Sequence, residues 1–189
     1  ILVKKVENPE LFGVVVENRN ILVDLIEKPE KFISNIANTG LYKLDKKVFP
    51  ILRSLKKSKR REYELTDAIK QFSLKYKINC VKSKQWIPIG YPWDLLKADR
   101  ALRGNKNIIG NNSKISGNVI NSSIGNKCLI KGYVKNSIVM DKTIIDDDSV
   151  VEDSIIGENV YFKGRIIAKN NVYSNVKGKR IKVDRLGAI

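Results

Sequence analysis

Ile109-Gly110-x-x-Ser113, Ile124-Gly125-x-x-Cys128, Val139-Met140-x-x-Thr143 and Ile156-Gly157-x-x-Val160 are four versions of one phrase. Six residues after the first apolar position of each comes a second apolar residue: Ile115, Ile130, Ile145 and Phe162. The phrase returns after fifteen residues, then fifteen, then seventeen. Another register recurs as Asn121-Ser122, Asn136-Ser137 and Asp153-Ser154. An apolar residue at every sixth position, with a small residue four places behind it, suits a three-sided β-coil. Each side is a short strand, the apolar residue points inward, and the small residue sits near a crowded corner. One coil cannot bury its own interior, so several must stack. Gly and Asn at the turns supply the positive φ that sharp corners demand. A β-sandwich with regular turns is the competing arrangement, and the constant six-residue offset disfavours it.

Upstream of Gly104 the grammar is different. Phe12 to Val16 and Ile21 to Ile26 are apolar runs joined by Glu17-Asn18-Arg19-Asn20, the pattern of a hairpin. Ala37 to Tyr42 is expected to be a short strand, Val48 to Leu55 a short helix, and Ile78 to Val81 another strand. Leu65, Ile69, Phe72 and Tyr76 are spaced as one helical face within Glu62 to Tyr76. A helix from Trp93 to Arg103 ends at Gly104, a plausible C-cap. Two domains follow, an α/β unit over 1–104 and a β-helix over 105–189.

The chain has 189 residues, 36 Lys+Arg against 20 Asp+Glu, a net charge of +16, and no His. Without His it holds no Ser-His-Asp triad, His metal site or His switch. No apolar run reaches the roughly 20 residues of a membrane helix. The excess charge is spread, +10 over residues 1–104 and +6 over 105–189, and no aromatic-interleaved recognition stripe accompanies it. Nucleic acid is therefore not the expected partner. The densest basic cluster, Arg53 to Arg61, reads as a solvated loop. Cys80 and Cys128 lie beside apolar residues and form no C-x-x-C unit, so they read as reduced core thiols in a cytoplasmic protein. Asp146-Asp147-Asp148 reads as a turn in preference to a calcium site. A first residue other than Met and an end in mid-pattern suggest a fragment.

Several motifs in order carry a family resemblance. Asn8-Pro9-Glu10-Leu11-Phe12-Gly13-Val14-Val15, then Leu25-Ile26-Glu27-Lys28-Pro29, Ala37-Asn38-Thr39-Gly40-Leu41-Tyr42 and Glu62-Tyr63-Glu64-Leu65-Thr66-Asp67-Ala68-Ile69, resemble the second half of a sugar-1-phosphate nucleotidylyltransferase domain. The repeats resemble the left-handed parallel β-helix of hexapeptide-repeat acyltransferases. Asn175 to Ile181 and Leu186-Gly187-Ala188-Ile189 are similar to archaeal-type bifunctional enzymes that join both domains. Those enzymes acetylate glucosamine-1-phosphate and then transfer a uridylyl group to make UDP-N-acetylglucosamine.

The resemblance implies a site. Gly13 would lie against the sugar ring, Glu27 would accept from sugar hydroxyls, and Lys28 would face the sugar phosphate. Asn38, Thr39 and Gly40 would approach the sugar's substituent. Read apart from the resemblance, Trp86 and Trp93 brace the domain junction or pocket rim. The resemblance also implies a nucleoside triphosphate such as UTP or dTTP, Mg²⁺, acetyl-CoA as second substrate, and a homotrimer built on the β-helix. Asn170, Asn171, Lys179 and Arg180 would meet acyl-CoA or a sugar phosphate. A carboxylate and an amide suit a neutral polyol, and a cation suits its phosphate.

Two departures stand out. The family usually has W-x-D-I-G with a metal-binding Asp, but this chain has Trp86-Ile87-Pro88-Ile89-Gly90, and proline has no carboxylate. Asp94 is nearby in sequence, but it lies in the expected helix that follows, which disfavours it as a substitute. The family's Gly-rich nucleotide loop and first metal Asp, and the acetyltransferase His expected after Leu186 to Ile189, are not among these residues. A second reading from another class is a sugar-nucleotide sensor or assembly subunit with the same fold.

Overall fold

A computed structural model describes the backbone of residues 1–176 and 179–184, and the side chains of 1–175 and 182. The chain divides into two units, Ile1–Trp86 and Ile87–Ile189.

In the first unit, five strands form one mixed sheet: β1 (Leu2–Lys5), β2 (Gly13–Asn18), β3 (Ile21–Glu27), β4 (Ile36–Asn38) and β5 (Val81–Lys82), in the order β3-β2-β4-β1-β5. Only β1 and β5 run parallel. The β2–β3 hairpin forms as the sequence suggests, because Arg19 (φ 50°) and Asn20 (φ 61°) adopt the two left-handed conformations that a tight hairpin turn needs. Helices α1 (Val48–Ser54) and α2 (Leu65–Ser73) complete the unit. Pro50 is tolerated in α1 because it lies in the first turn, where its missing N–H has no helical acceptor. The core gathers Val3, Val15, Leu22, Leu25, Ile69 and Phe72. The α2 face differs from the expected one. Ile69 and Phe72 are buried, but Leu65 and Tyr76 are exposed, and Thr66 and Ala68 take the inner positions. The strand expected over 37–42 stops at Asn38, where Gly40 turns the chain with φ 84°.

In the second unit, α3 (Asp94–Arg103) ends at Gly104, φ 67°, as expected. A parallel β-helix of about four turns follows. One face stacks β6 (Ile108–Ile109), β9 (Ser123–Ile124), β12 (Ile138–Val139), β15 (Ile155–Ile156) and β18 (Asn171–Val176). A second face stacks β7 (Lys114–Ile115), β10 (Leu129–Ile130), β13 (Ile144–Ile145) and β16 (Tyr161–Phe162). A third stacks β8 (Asn118–Ile120), β11 (Tyr133–Lys135), β14 (Val150–Glu152) and β17 (Ile167–Lys169). The last strand, β19 (Lys179–Asp184), folds back antiparallel on β18.

In the second to fourth coils both apolar registers point inward, whereas Ile109 and Ile115 of the first coil are exposed. Ile124, Val139 and Ile156 form one buried row, and Ile130, Ile145 and Phe162 form another. Each fully buried aliphatic side chain contributes about 1.5–3 kcal/mol. A third inward row, Val119, Val134, Val151 and Ala168, completes the triangle.

Polar ladders hold the corners. Ser137 N–H donates to Ser122 Oγ, Ser154 N–H to Ser137 Oγ and Asn171 N–H to Ser154 Oγ, each at 3.1 Å. Buried corner amides are thereby satisfied by the hydroxyl one coil below, which is why the Asn-Ser register recurs. At another corner Gly132 is obligatory, because a Cβ there would sit 2.4 Å from the Ser149 carbonyl oxygen. The Asp146 carboxylate pairs with Lys131 at 3.4 Å and accepts from Tyr161 at 3.2 Å. Among the described residues no group of three acidic, Cys or His side chains could hold a metal ion. Cys80 and Cys128 are buried free thiols, and burial pushes both above the usual thiol range.

Candidate functional site

Three neighbouring strands bring their ends together in the first unit. Gly13 opens β2 opposite Glu27, the last residue of β3, and Asn38 closes β4 on the other side of β2. Helix α2 adds Thr66, the residue after Leu65. The convergence is measurable at Gly13. A Cβ there would lie 2.9 Å from Glu27 Oε2, 3.2 Å from Thr66 Cγ2 and 3.6 Å from Asn38 Cβ. Glycine is needed for the space it leaves, so the backbone forms the floor of a cradle walled by a carboxylate, a hydroxyl-bearing side chain and an amide.

The groups in the cradle are held by local bonds. Asn38 Nδ2 donates to the Tyr42 hydroxyl, and Asn38 Oδ1 accepts from Gly40 N–H at 3.1 Å. One amide hydrogen and one carbonyl lone pair stay available. Glu27 is half-buried, and burial raises its carboxyl above the ordinary value. The Glu64 carboxylate adds to the rise, while Arg60 and Lys28 pull the other way. Thr66 Oγ1 is buried and makes no completed hydrogen bond. Burial raises the Tyr42 phenol too, against its bond with Asn38. Phe12, next to Gly13, packs edge-to-face on Trp86 with ring centroids 5.0 Å apart, so Trp86 braces the residue before the floor.

The remaining expected residues divide. Lys28 is exposed, with φ 42°, and its N–H is anchored on the Phe12 carbonyl at 3.0 Å, which fixes its Cα beside the cradle. The Thr39 hydroxyl is committed elsewhere, donating to the Leu2 carbonyl at 2.9 Å, and Gly40 makes the turn. Thr66, Glu64, Arg60 and Tyr42 join the site without having been singled out in the sequence. Arg60 lies 3.2 Å from Glu62 and 3.8 Å from Glu64, so part of the basic loop is spent on neighbouring carboxylates.

In the second unit Pro88 is exposed, and Asp94 is not a free carboxylate. Asp94 Oδ2 accepts from Gly90 N–H at 3.1 Å and Tyr91 N–H at 3.0 Å, and Oδ1 faces Lys97 at 3.6 Å. Asp94 therefore closes the turn into α3 and does not replace a metal ligand at Pro88. Among the described residues no group of three acidic, Cys or His side chains is placed to hold a metal ion, so they do not fit a Mg²⁺ site. Asn170 sits at a solenoid corner with φ 53°, and the Asn171 amide donates to the Lys169 carbonyl at 2.7 Å. Lys179 and Arg180 are on β19, but their side chains lie outside the described residues, as does Leu186 to Ile189.

A cradle of Gly, Glu, Asn and Thr at the ends of three neighbouring strands, followed by stacked coils of a parallel β-helix, is the arrangement that the family matches describe. Residues 1–105 match the nucleotidyl transferase family model, and residues 105–184 match the model described as GlmU-like, C-terminal hexapeptide. The chain belongs to the nucleotidyl transferase family. It is 37% identical over 242 aligned residues to the bifunctional protein GlmU of Methanocaldococcus jannaschii, covering 100% of this chain and 58% of that protein. It is 33% identical over 235 residues to a bifunctional sugar-1-phosphate nucleotidylyltransferase/acetyltransferase of Sulfurisphaera tokodaii, covering 97% of this chain and 59% of that one. A low-salt glycan biosynthesis nucleotidyltransferase of Haloferax volcanii is 34% identical over 111 residues, covering 57% of this chain and 31% of its own length. The chain thus spans under three fifths of the length of the bifunctional relatives.

Proposed function

We propose that the protein works in nucleotide-sugar biosynthesis, and that residues 1–104 bind a sugar-1-phosphate for nucleotidyl transfer from UTP or dTTP with release of pyrophosphate. The observation that carries this reading is the cradle at Gly13, where Glu27, Asn38 and Thr66 meet over a bare backbone. A carboxylate and an amide with free hydrogen-bonding capacity complement a sugar's hydroxyls. Lys28 at the rim is the cation for the phosphate. Attack by that phosphate on a nucleoside triphosphate needs neutralised charge and no general base, so a chain without His loses nothing for this step. Mg²⁺ would add to that neutralisation, and Pro88, which has no carboxylate, would not be one of its ligands.

We assign residues 105–189 an acyltransferase-like role, acetylating glucosamine-1-phosphate from acetyl-CoA, in a cytoplasmic homotrimer assembled through the β-helix. The hexapeptide match and the bifunctional relatives support that assignment.

The test is calorimetric titration of N-acetylglucosamine-1-phosphate and glucose-1-phosphate into the chain, with Glu27→Gln beside it. Saturable binding that Glu27→Gln weakens about tenfold or more is expected. Equal heats in both proteins would sink the reading. A sensor that binds without transferring is favoured by Pro88 and by the engagement of Asp94. Pyrophosphate release with Mg²⁺, UTP or dTTP and either sugar phosphate separates the two, since a sensor gives none.

A further inference from the structure

A cavity of about 430 Å³ opens in the second unit between α3 and the solenoid corner, far in sequence from the cradle residues. Its wall on the helix side is Trp93, Leu96, Lys97 and Arg100, and on the coil side Asp153 and Asn170. The C-terminal half of α3 is tied to the coils, since Asp99 accepts from the Ser123 hydroxyl and pairs with Arg103 at 2.5 Å. Among the described contacts, only the bridge between Arg100 and Asp153 crosses this groove, at 4.0 Å, and both side chains stay about half exposed. A guanidinium at that distance keeps most of its five donors for another acceptor. Lys97 leans on Asp94 at 3.6 Å, also a loose pair. Trp93 lines the groove while Tyr91 stacks on its ring at 4.9 Å and 9°, which holds the indole plane in place. Asp153 and Asn170 occupy successive coils with φ 45° and 53°, so the left-handed corner presents a carboxylate and an amide side by side on a rigid stack.

These groups form an ordered set: an aromatic plane, an acceptor beside a donor, and two loosely held cations. The volume falls within the range of small-molecule sites. We propose that this groove binds a nucleotide, with the base against Trp93, the ribose diol on Asp153 and Asn170, and the phosphate on Arg100 and Lys97. The ring recognises any planar heterocycle, the carboxylate accepts from vicinal hydroxyls, and the guanidinium forks onto phosphate oxygens. This site shares no residue with the sugar-phosphate cradle and does not rest on its assignment.

Trp86 and Trp93 are the chain's two tryptophans. In a Trp86→Phe background, Trp93 emission reports on the groove alone. Titration of UMP, AMP, uridine and inorganic phosphate at about 150 mM salt should give a saturable change for the nucleotides, with Kd below about 1 mM. Uridine and phosphate alone should bind at least about tenfold more weakly. Arg100→Gln and Asp153→Asn should each weaken nucleotide binding about tenfold, and Glu27→Gln should leave it unchanged. A linear response, or affinity indifferent to Arg100→Gln, overturns the proposal and leaves the Arg100–Asp153 contact as a strut. Loss of the signal in Glu27→Gln would move the binding to the cradle and also overturn it. If Arg100→Gln fails to fold, the exposed Lys97→Gln substitution carries the same comparison.

Discussion

Gly13→Ala is the smallest change that tests the cradle, because it adds one methyl group where the geometry allows none. The new Cβ would fall 2.9 Å from Glu27 Oε2, whereas ordinary contact begins at 3.4 Å, and 3.2 Å from Thr66 Cγ2. The shortfall is about half an ångström on the carboxylate side. Glu27 lies on a strand end with a flexible side chain, so it yields before the backbone does. Folding then loses only about 1 kcal/mol, at the low end for an overpacked site. Binding loses more. Moving the carboxylate would break the hydrogen bonds to sugar hydroxyls that the proposed site gives it, and a charged hydrogen bond is worth about 1.5–3 kcal/mol, or roughly 10- to 150-fold in affinity. Calorimetric titration of N-acetylglucosamine-1-phosphate should therefore show a large rise in Kd, beside a urea midpoint close to wild type. A variant that binds as tightly as wild type would refute the placement of Gly13 under the sugar. A variant that unfolds would refute the claim that Glu27 gives way first.

The solenoid offers two sharper stability tests. Ile145 is fully buried, and Ile145→Ala should cost about 2–5 kcal/mol, read as a lower urea midpoint with little change in slope. Ser137→Ala removes the acceptor of the Ser154 amide but leaves the Lys135 carbonyl its bond from Asp153 N–H at 3.1 Å, so one donor is orphaned. The expected loss is about 1–3 kcal/mol, and a loss near zero would deny the ladder its role. At the cradle, burial and Glu64 raise the Glu27 carboxyl, so folding favours its protonated form. The stabilising contribution is present below the unfolded value and lost as pH rises through the folded one. Glu27→Gln should thus melt higher than wild type at about pH 7, with the advantage gone below about pH 4. An advantage that persists in acid would contradict the burial argument.

The β-helix was legible because its physics repeats. Each inward residue faces the same requirement as the one a coil below, so Ile130, Ile145 and Phe162 appear at fixed offsets, as do the hydroxyls of Ser122, Ser137 and Ser154. The third row, Val119, Val134, Val151 and Ala168, carries the same period but was not singled out, because its flanks vary between polar and apolar and blur the alternation. The first unit shows the opposite. Leu65 and Tyr76 fit a helical face on paper, yet α2 begins at Leu65 and ends at Ser73, so both lie where the helix starts or has stopped and neither is buried. Thr66 takes the inner position, and nothing in its spacing announces that it would meet Gly13 and Glu27.

The cradle itself exposes the limit of reading by pattern. Gly13, Glu27 and Asn38 were identified through ordered motifs, and the sheet brings them together because β2 pairs with both β3 and β4 at the same end. Thr39 stood in the same motif, but its hydroxyl is spent on the Leu2 carbonyl, where it fastens β4 to β1. Adjacent residues on a strand end therefore differ in what they leave free, Asn38 keeping hydrogen-bonding capacity and Thr39 spending its hydroxyl on the sheet. The difference follows from hydrogen-bond accounting: Asn38 keeps one amide hydrogen and one lone pair unspent, while the Thr39 hydroxyl proton is already donated. The same accounting disposes of Asp94, whose carboxylate closes the turn before α3 with two backbone amides and a lysine. A carboxylate near Pro88 in sequence is thus no substitute for one at Pro88.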